Sequence, residues 1–259
     1  MDKNDVIECE IDRVGVSANL VSDFNSIGEL ITAVVSSPVS VGFSLIKQMK
    51  DPKKLCKDYS DYRFCEKLLY FFNGVHLTEQ EFVQLSNCIG QCDIERKENY
   101  FRLFDCIQAV TSFKQIHYMA NATRTLISLE RKEGSYNRAR LNDYFRVIIA
   151  LMRMIPEDIE FLQEHIREDD IEEGVEVEGL DAAGVMWHSE IDARVSEAIA
   201  GQKYSFNRLG RLVYNYACLL DDVNNNPDMK LVDLELEKRV KIEHDVVGDE
   251  EVDAIFKNY

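Results

Sequence analysis

Glycine and proline are scarce, at twelve and four in 259 residues. A β-sandwich or barrel needs a turn about every ten residues, and this chain has too few turn-forming residues to supply them. Positive charge is also short: 30 Lys and Arg face 47 Asp and Glu, for a net charge of -17 and a pI near 4.7. A surface of that sign excludes binding to nucleic acid or anionic lipid over the whole molecule, and leaves open only a local basic patch. Motifs of common chemistries are missing as well. There is no Walker loop, no GxSxG elbow, no GxGxxG turn and no HExxH, which lowers the case for an enzyme. The seven cysteines (9, 56, 65, 88, 92, 106 and 218) are odd in number and scattered. With no signal peptide in view, they read as reduced thiols of a cytoplasmic protein.

What is present points to helices. Hydrophobic residues make up 46% and aromatics 10% of the chain, a globular composition with enough length for one substantial core or two smaller ones. The expected fold is mainly α: a multi-helix antiparallel array with a small C-terminal helix-strand-helix unit. Six segments are expected: a strand-like start (1–21), an apolar helical segment (22–50), a helical bundle (53–167), an acidic connection (168–188), the helix-strand-helix unit (189–223) and an acidic tail (224–259).

Within the bundle, Ser60 is read as the cap of a helix carrying Phe64, Leu68, Leu69, Phe71 and Phe72, stopped at Asn73-Gly74. Thr78 to Glu81 forms a capping box ahead of Phe82, Leu85 and Ile89. Asp93 is read as the next cap, with Tyr100, Phe101, Phe104, Ile107 and Val110 facing inward. Residues 113–131 give a fourth helix, Asn137 starts a fifth, and Pro156 opens a sixth with Glu157 and Asp158 beside its positive end. Val175, Val177 and Leu180 interleave with acids, which suits a solvated connection or a short hairpin. Residues 189–200 read as helix, and Tyr204-Ser205-Phe206 as a strand leading into a helix capped by Asn207.

The acid is concentrated. Residues 157–181 hold twelve carboxylates against Arg167, and residues 219–259 hold twelve against five cations, which leaves the rest of the chain one charge from neutral. Between them in character lies a basic stretch with Arg124, Arg131, Lys132, Arg138, Arg140, Arg146 and Arg153 beside Tyr136, Tyr144 and Phe145. Arg124, Arg131, Lys132, Arg138 and Arg140 form a candidate anion-binding set for phosphate or nucleic acid. Pairing with the acid of 157–181 in the same molecule is the favoured alternative, through weak, salt-sensitive contacts.

Residues 30–46 run seventeen positions without a charge, about 25 Å as a helix and slightly short of a bilayer core. Pro38 and Gly42 interrupt the run. The expected default is a buried helix or broken hairpin. The functional alternative is a contact surface for a membrane or protein partner, formed by Leu30, Ile31, Val34, Val35, Val39, Val41, Phe43, Leu45 and Ile46.

Metal and acid-base chemistry find little support. Cys88 and Cys92 are four apart with His76 as the nearest imidazole, and two buried or packed thiols are the simpler reading. Asp222, Asn224, Asn226, Asp228 and Asp233 resemble an EF-hand calcium loop, but Pro227 stands where that loop needs glycine and Asp233 where it needs glutamate. A polar turn is expected there. The histidines at 76, 117, 165, 188 and 244 form no recognisable base site. No metal and no cofactor is expected.

Two resemblances add to this. The run YSFNRLGRLVYNYACLL is similar to the tail of small bacterial helical or winged-helix units. The order of segments over residues 25–220, including KDYSDYRFCEKLLYFFNGV, NYFRLFDCIQAV and PEDIEFL, resembles a group of helical proteins of bacterial genomes and prophages. That resemblance implies a role in phage defence or exclusion. The expected function is therefore a non-enzymatic interaction or effector protein that meets a protein partner or membrane surface through residues 28–49, cytoplasmic with peripheral membrane contact. Nucleic acid is not the expected partner. The alternatives are a metal-dependent nucleic-acid hydrolase whose carboxylates only the fold gathers, and an acidic mimic of nucleic acid.

Overall fold

In a computed structural model of the chain, the described residues are 27–36, 59–75, 79–133, 136–168, 171–172, 174–188, 204–226, 230–232 and 234. The expected strand in 1–21, the apolar residues 37–46, the Thr78 capping box, His76, the helix at 189–200 and the tail from 235 lie outside them.

The protein is mainly helical, with a small two-stranded sheet. Its elements are α1 (Ile27–Ser36), α2 (Tyr59–Val75), α3 (Glu79–Cys88), α4 (Asp93–Ala109), α5 (Phe113–Glu133), α6 (Arg138–Arg153), α7 (Pro156–His165), α8 (Val175–Ala182), β1 (Met186–His188), β2 (Tyr204–Phe206), α9 (Arg208–Val213), a π-helical segment (Tyr214–Cys218) and α10 (Leu219–Asn225). The strands β1 and β2 pair antiparallel, Met186 opposite Phe206 and His188 opposite Tyr204. Among the described residues, no helix is long and apolar enough to cross a membrane.

Helix α5 is the axis of the fold. Its 21 residues pack against α2, α3, α6 and the π-helical segment. Being surrounded, it buries Ile116, Met119, Ala120, Ala122, Leu126 and Ile127, and also the polar Gln115, Asn121 and Thr123. A buried polar group without a partner costs about 1–3 kcal/mol, so each must be met. Gln115 donates to the carbonyls of Leu151 (3.2 Å) and Met154 (2.6 Å), which closes the C-terminal end of α6, where helical carbonyls lack intrahelical donors. Thr123 bonds the Met119 carbonyl and the Tyr144 hydroxyl, both at 2.9 Å, so the fully buried Tyr144 is satisfied across the α5–α6 contact. Burial pushes its phenol well above the ordinary range. The Lys67 ammonium on α2 performs a similar closure for α4, donating to Gln108 and Val110 carbonyls at 2.7 and 2.5 Å.

The local signals are met in several places. Asn137 caps α6 by accepting from the Ala139 and Arg140 amides at 2.9 and 3.3 Å. Pro156 opens α7, where the Asp158 carboxylate accepts from the Ile155 amide at 3.0 Å. Elsewhere the fold differs from the expectation. Cys92, not Asp93, occupies the cap position of α4, and Asp93 begins the helix with Glu95 in its first turn. Phe101 is 40% exposed, because the buried face runs through Tyr100, Phe104 and Ile107 and the next residue along lies about 100° round the helix. Residues 175–182 form α8 in place of a hairpin: Val177 and Leu180, three apart, are buried while Val175 is exposed, which is helical and not strand spacing. Cys88 is buried on α3 and Cys92 lies exposed beyond that helix's end, so the two thiols share no helix face.

Candidate functional site

The basic stretch that looks continuous in sequence is divided by the fold. Helix α6 turns Arg146, Ile149, Ala150 and Arg153 to one side, positions three and four apart that align along a single face. The opposite side sends Phe145, Ile148 and Leu151 into the core. Facing the arginine side are Ala183 after α8, Trp187 on β1, and Asn207, Arg208, Leu209 and Leu212 of α9 and its cap, bordering an open cleft of about 440 Å³. Three arginines and no carboxylate line it. Trp187 is 58% exposed and Arg146 and Arg153 are exposed at the rim. Neither of those arginines has an ion-pair partner among the described residues.

The far wall is held in place by Asn207. Its side-chain oxygen accepts from the Leu209 and Gly210 amides at 2.8 and 3.1 Å, capping α9, while its side-chain nitrogen donates to the Gly184 and Met186 carbonyls at 2.9 and 3.1 Å. One residue thus ties the helix start to the turn that presents Trp187. That turn has Gly184 at φ +77°, where other residues are strained. Gly210 lets α9 sit close beneath it: a Cβ there would stand 2.5 Å from the Val185 carbonyl. Arg208 then grips Asp143 on α6 through two parallel bonds of 3.1 and 3.0 Å, which sets the spacing of the two walls. Of the three cleft arginines, Arg208 serves the architecture and the other two face solvent.

Comparison of the chain with protein-family models, characterised proteins and solved structures finds no match. Assignment of the site therefore rests on its geometry.

The candidate anion-binding set is dispersed by the fold. Arg124 lies near enough to Asp221 to favour its ionised form. Arg131 donates to Gln84 at 3.0 Å, and Arg138 lies near Glu95, whose carboxylate accepts from the Gln91 amide and the Tyr136 hydroxyl. Arg140 flanks Tyr216 along with Asp143 and Arg208. Lys132 lies in the last turn of α5. Of the apolar contact set, Ile31 packs partly buried against the core, together with Ala33. Leu30, Val34 and Val35 lie on the same helix, and Val39, Val41, Phe43, Leu45 and Ile46 lie outside the described residues. Sequence reasoning did not single out Trp187 or place Arg208 beside α6. The lone tryptophan, two residues from a predicted boundary, was the available signal.

A second polar cluster surrounds the π-helical segment. A π turn displaces carbonyls from their usual α-helical partners, and two residues of α5 one turn apart meet them: Asn121 donates to Ala217 at 3.2 Å and Thr125 to Tyr216 at 2.9 Å. Asn121 also donates to the Asp221 carboxylate at 3.1 Å, and His117 approaches the same oxygen at 2.9 Å. Tyr214 donates to Asp222 at 2.6 Å, burial and that carboxylate together pushing the phenol up to about 12. Gln163 on α7 bonds Asp222 as well. Among the described residues, no three His, Cys, Asp or Glu side chains are grouped to hold a metal. Every polar member of the cluster is directed at another element, which suits a clamp joining α5, α7 and α10.

Partial burial raises the Asp221 carboxyl, but the His117 hydrogen bond and charge, the Asn121 amide and Arg124 outweigh it and hold the group below the ordinary carboxylate range. In the unfolded chain Asp221 takes up its proton at the ordinary value, above the folded one. Its contribution is therefore complete above the ordinary range and is lost as pH falls through the folded value. Asp221→Asn should cost about 1–3 kcal/mol at neutral pH. Urea titrations at a series of pH values should show the difference from wild type shrinking once pH drops into and below that range.

Proposed function

We propose that this protein acts by binding and not by catalysis, and that its working face is the α6–β1–α9 cleft, which receives an anionic group of a partner. The observation that carries this reading is the meeting of Arg146, Arg153 and the exposed Trp187 on one concave surface. Guanidinium groups bind oxyanions through paired donors and are weakly hydrated, so two of them over an apolar floor form a receptive surface for phosphate or carboxylate. The volume falls within the roughly 300–1,000 Å³ typical of small-ligand sites. The net charge of -17 opposes a long polyanion, but at physiological salt charges beyond about 8 Å are screened, and the cleft governs a short ligand. The winged-helix-like reading of the C-terminal unit also remains a proposal, supported by the order of strand β2, the Asn207 cap and α9.

Trp187 is the sole tryptophan, so intrinsic fluorescence reports on the cleft directly. Titration with inorganic tripolyphosphate should give a saturable change that weakens with added salt and disappears in an Arg146→Gln/Arg153→Gln variant with an unchanged circular dichroism spectrum. No change, or the same change in the double variant, would refute the proposal.

A second contact surface, on residues 30–46, is proposed from their seventeen positions without a charge and from α1, where Ile31 and Ala33 are partly buried and Gly28, Glu29 and Thr32 are exposed. Exchange of partners by this segment would suit an effector role in phage defence or exclusion. In liposome flotation the full-length protein should float, and a folded Val35→Asp/Val41→Asp variant should stay at the bottom of the gradient. Absence of flotation by the parent protein at both low and high salt would remove this surface from consideration.

A further inference from the structure

We infer that the cleft takes a ligand carrying both a planar base and phosphate, either a free nucleotide or a short single strand of nucleic acid. This rests on the anion-binding reading of the cleft and goes further by assigning a role to Trp187. Arg146 and Arg153 are seven residues apart on one helix face, about 10 Å along the axis. At that spacing two exposed guanidinium groups can each take one of two neighbouring anionic groups. Trp187 on β1 lines the same cleft and is 58% exposed. An acidic peptide would satisfy the arginines and leave the indole idle. A base stacked on the indole, with flanking phosphates on the two guanidinium groups, uses both features at once, and such stacking is tolerant of base identity. The two walls are preset by Asn207 and by the Arg208–Asp143 pair, so the ligand meets a surface already assembled. The acidity of the rest of the molecule restricts the ligand to a few nucleotides.

The test is fluorescence anisotropy of a 3′-labelled thymidine hexamer with the full 259-residue chain, beside an abasic hexamer of the same charge, a hexaglutamate peptide and, as competitor, a nucleoside triphosphate. The hexamer should bind at least five-fold more tightly than the abasic strand and the peptide. Trp187→Ala should abolish that advantage, since stacking of one base is worth about 1–3 kcal/mol, or roughly 5- to 150-fold. Trp187→Phe, which keeps an aromatic face, should retain most of it and shows that the loss in the alanine variant is not misfolding. Arg153→Gln should weaken hexamer and abasic strand alike and lower the salt dependence of both. Full competition by the triphosphate assigns the free nucleotide as a sufficient ligand, and weak competition assigns the strand; both support the inference. Equal binding of the abasic strand, or preference for the peptide, overturns the base-stacking inference while leaving the anion site standing. Failure of every probe, tripolyphosphate included, overturns both.

Discussion

The structure depends on the helix that most of the others pack against. Because α5 is lined by α2, α3, α6 and the π-helical segment, the buried Gln115, Asn121 and Thr123 cannot reach water and must be completed by neighbouring elements, while Lys114, Arg124, Ser128 and Arg131 form its exposed face. Gln115 completes the end of α6, Thr123 completes Tyr144, and Asn121 and Thr125 complete the carbonyls that the π turn releases. These bonds add little net energy each, yet an unmet partner would be costly. They therefore specify which neighbour sits at which height along α5, a precision that apolar contact alone does not impose.

The cleft inherits that precision. Gln115 fixes the end of α6 from which Arg153 projects, and the α5 contacts fix the π-helical segment that continues α9. Arg208 and Asp143 bridge the two, and Asn207 carries the geometry on to β1 and Trp187. The arginines that face solvent are thus mounted on a frame held by the Arg208–Asp143 pair and the Asn207 side chain. The contrast within one helix is informative: Arg146 and Arg153 lie on the cleft side, while Arg140 near the start of α6 lies near Tyr216.

Much of the architecture is legible in the sequence, because it rests on short-range signals. The Asn137 and Asn207 caps, the Pro156 start and the apolar face of Phe64, Leu68, Phe71 and Phe72 involve residues within a few positions of each other. The acidic region was harder to read. Val175 and Val177 imitate strand alternation, and only the burial of Leu180 against the core shows that helix wins. The site was less legible still. A list of basic residues between 124 and 153 carries no information about which face each occupies once the break between α5 and α6 resets the helical phase. The strand that positions Trp187 is three residues long and owes its conformation to a pairing partner eighteen residues away, which no local pattern announces.

The most direct measurement is photo-crosslinking of a single strand containing 5-bromouracil to the full-length protein, followed by peptide mapping. The cleft account predicts an adduct confined to Trp187 and lost when Arg146 and Arg153 are both replaced by glutamine. An adduct on aromatic residues elsewhere, or none at all, would contradict it.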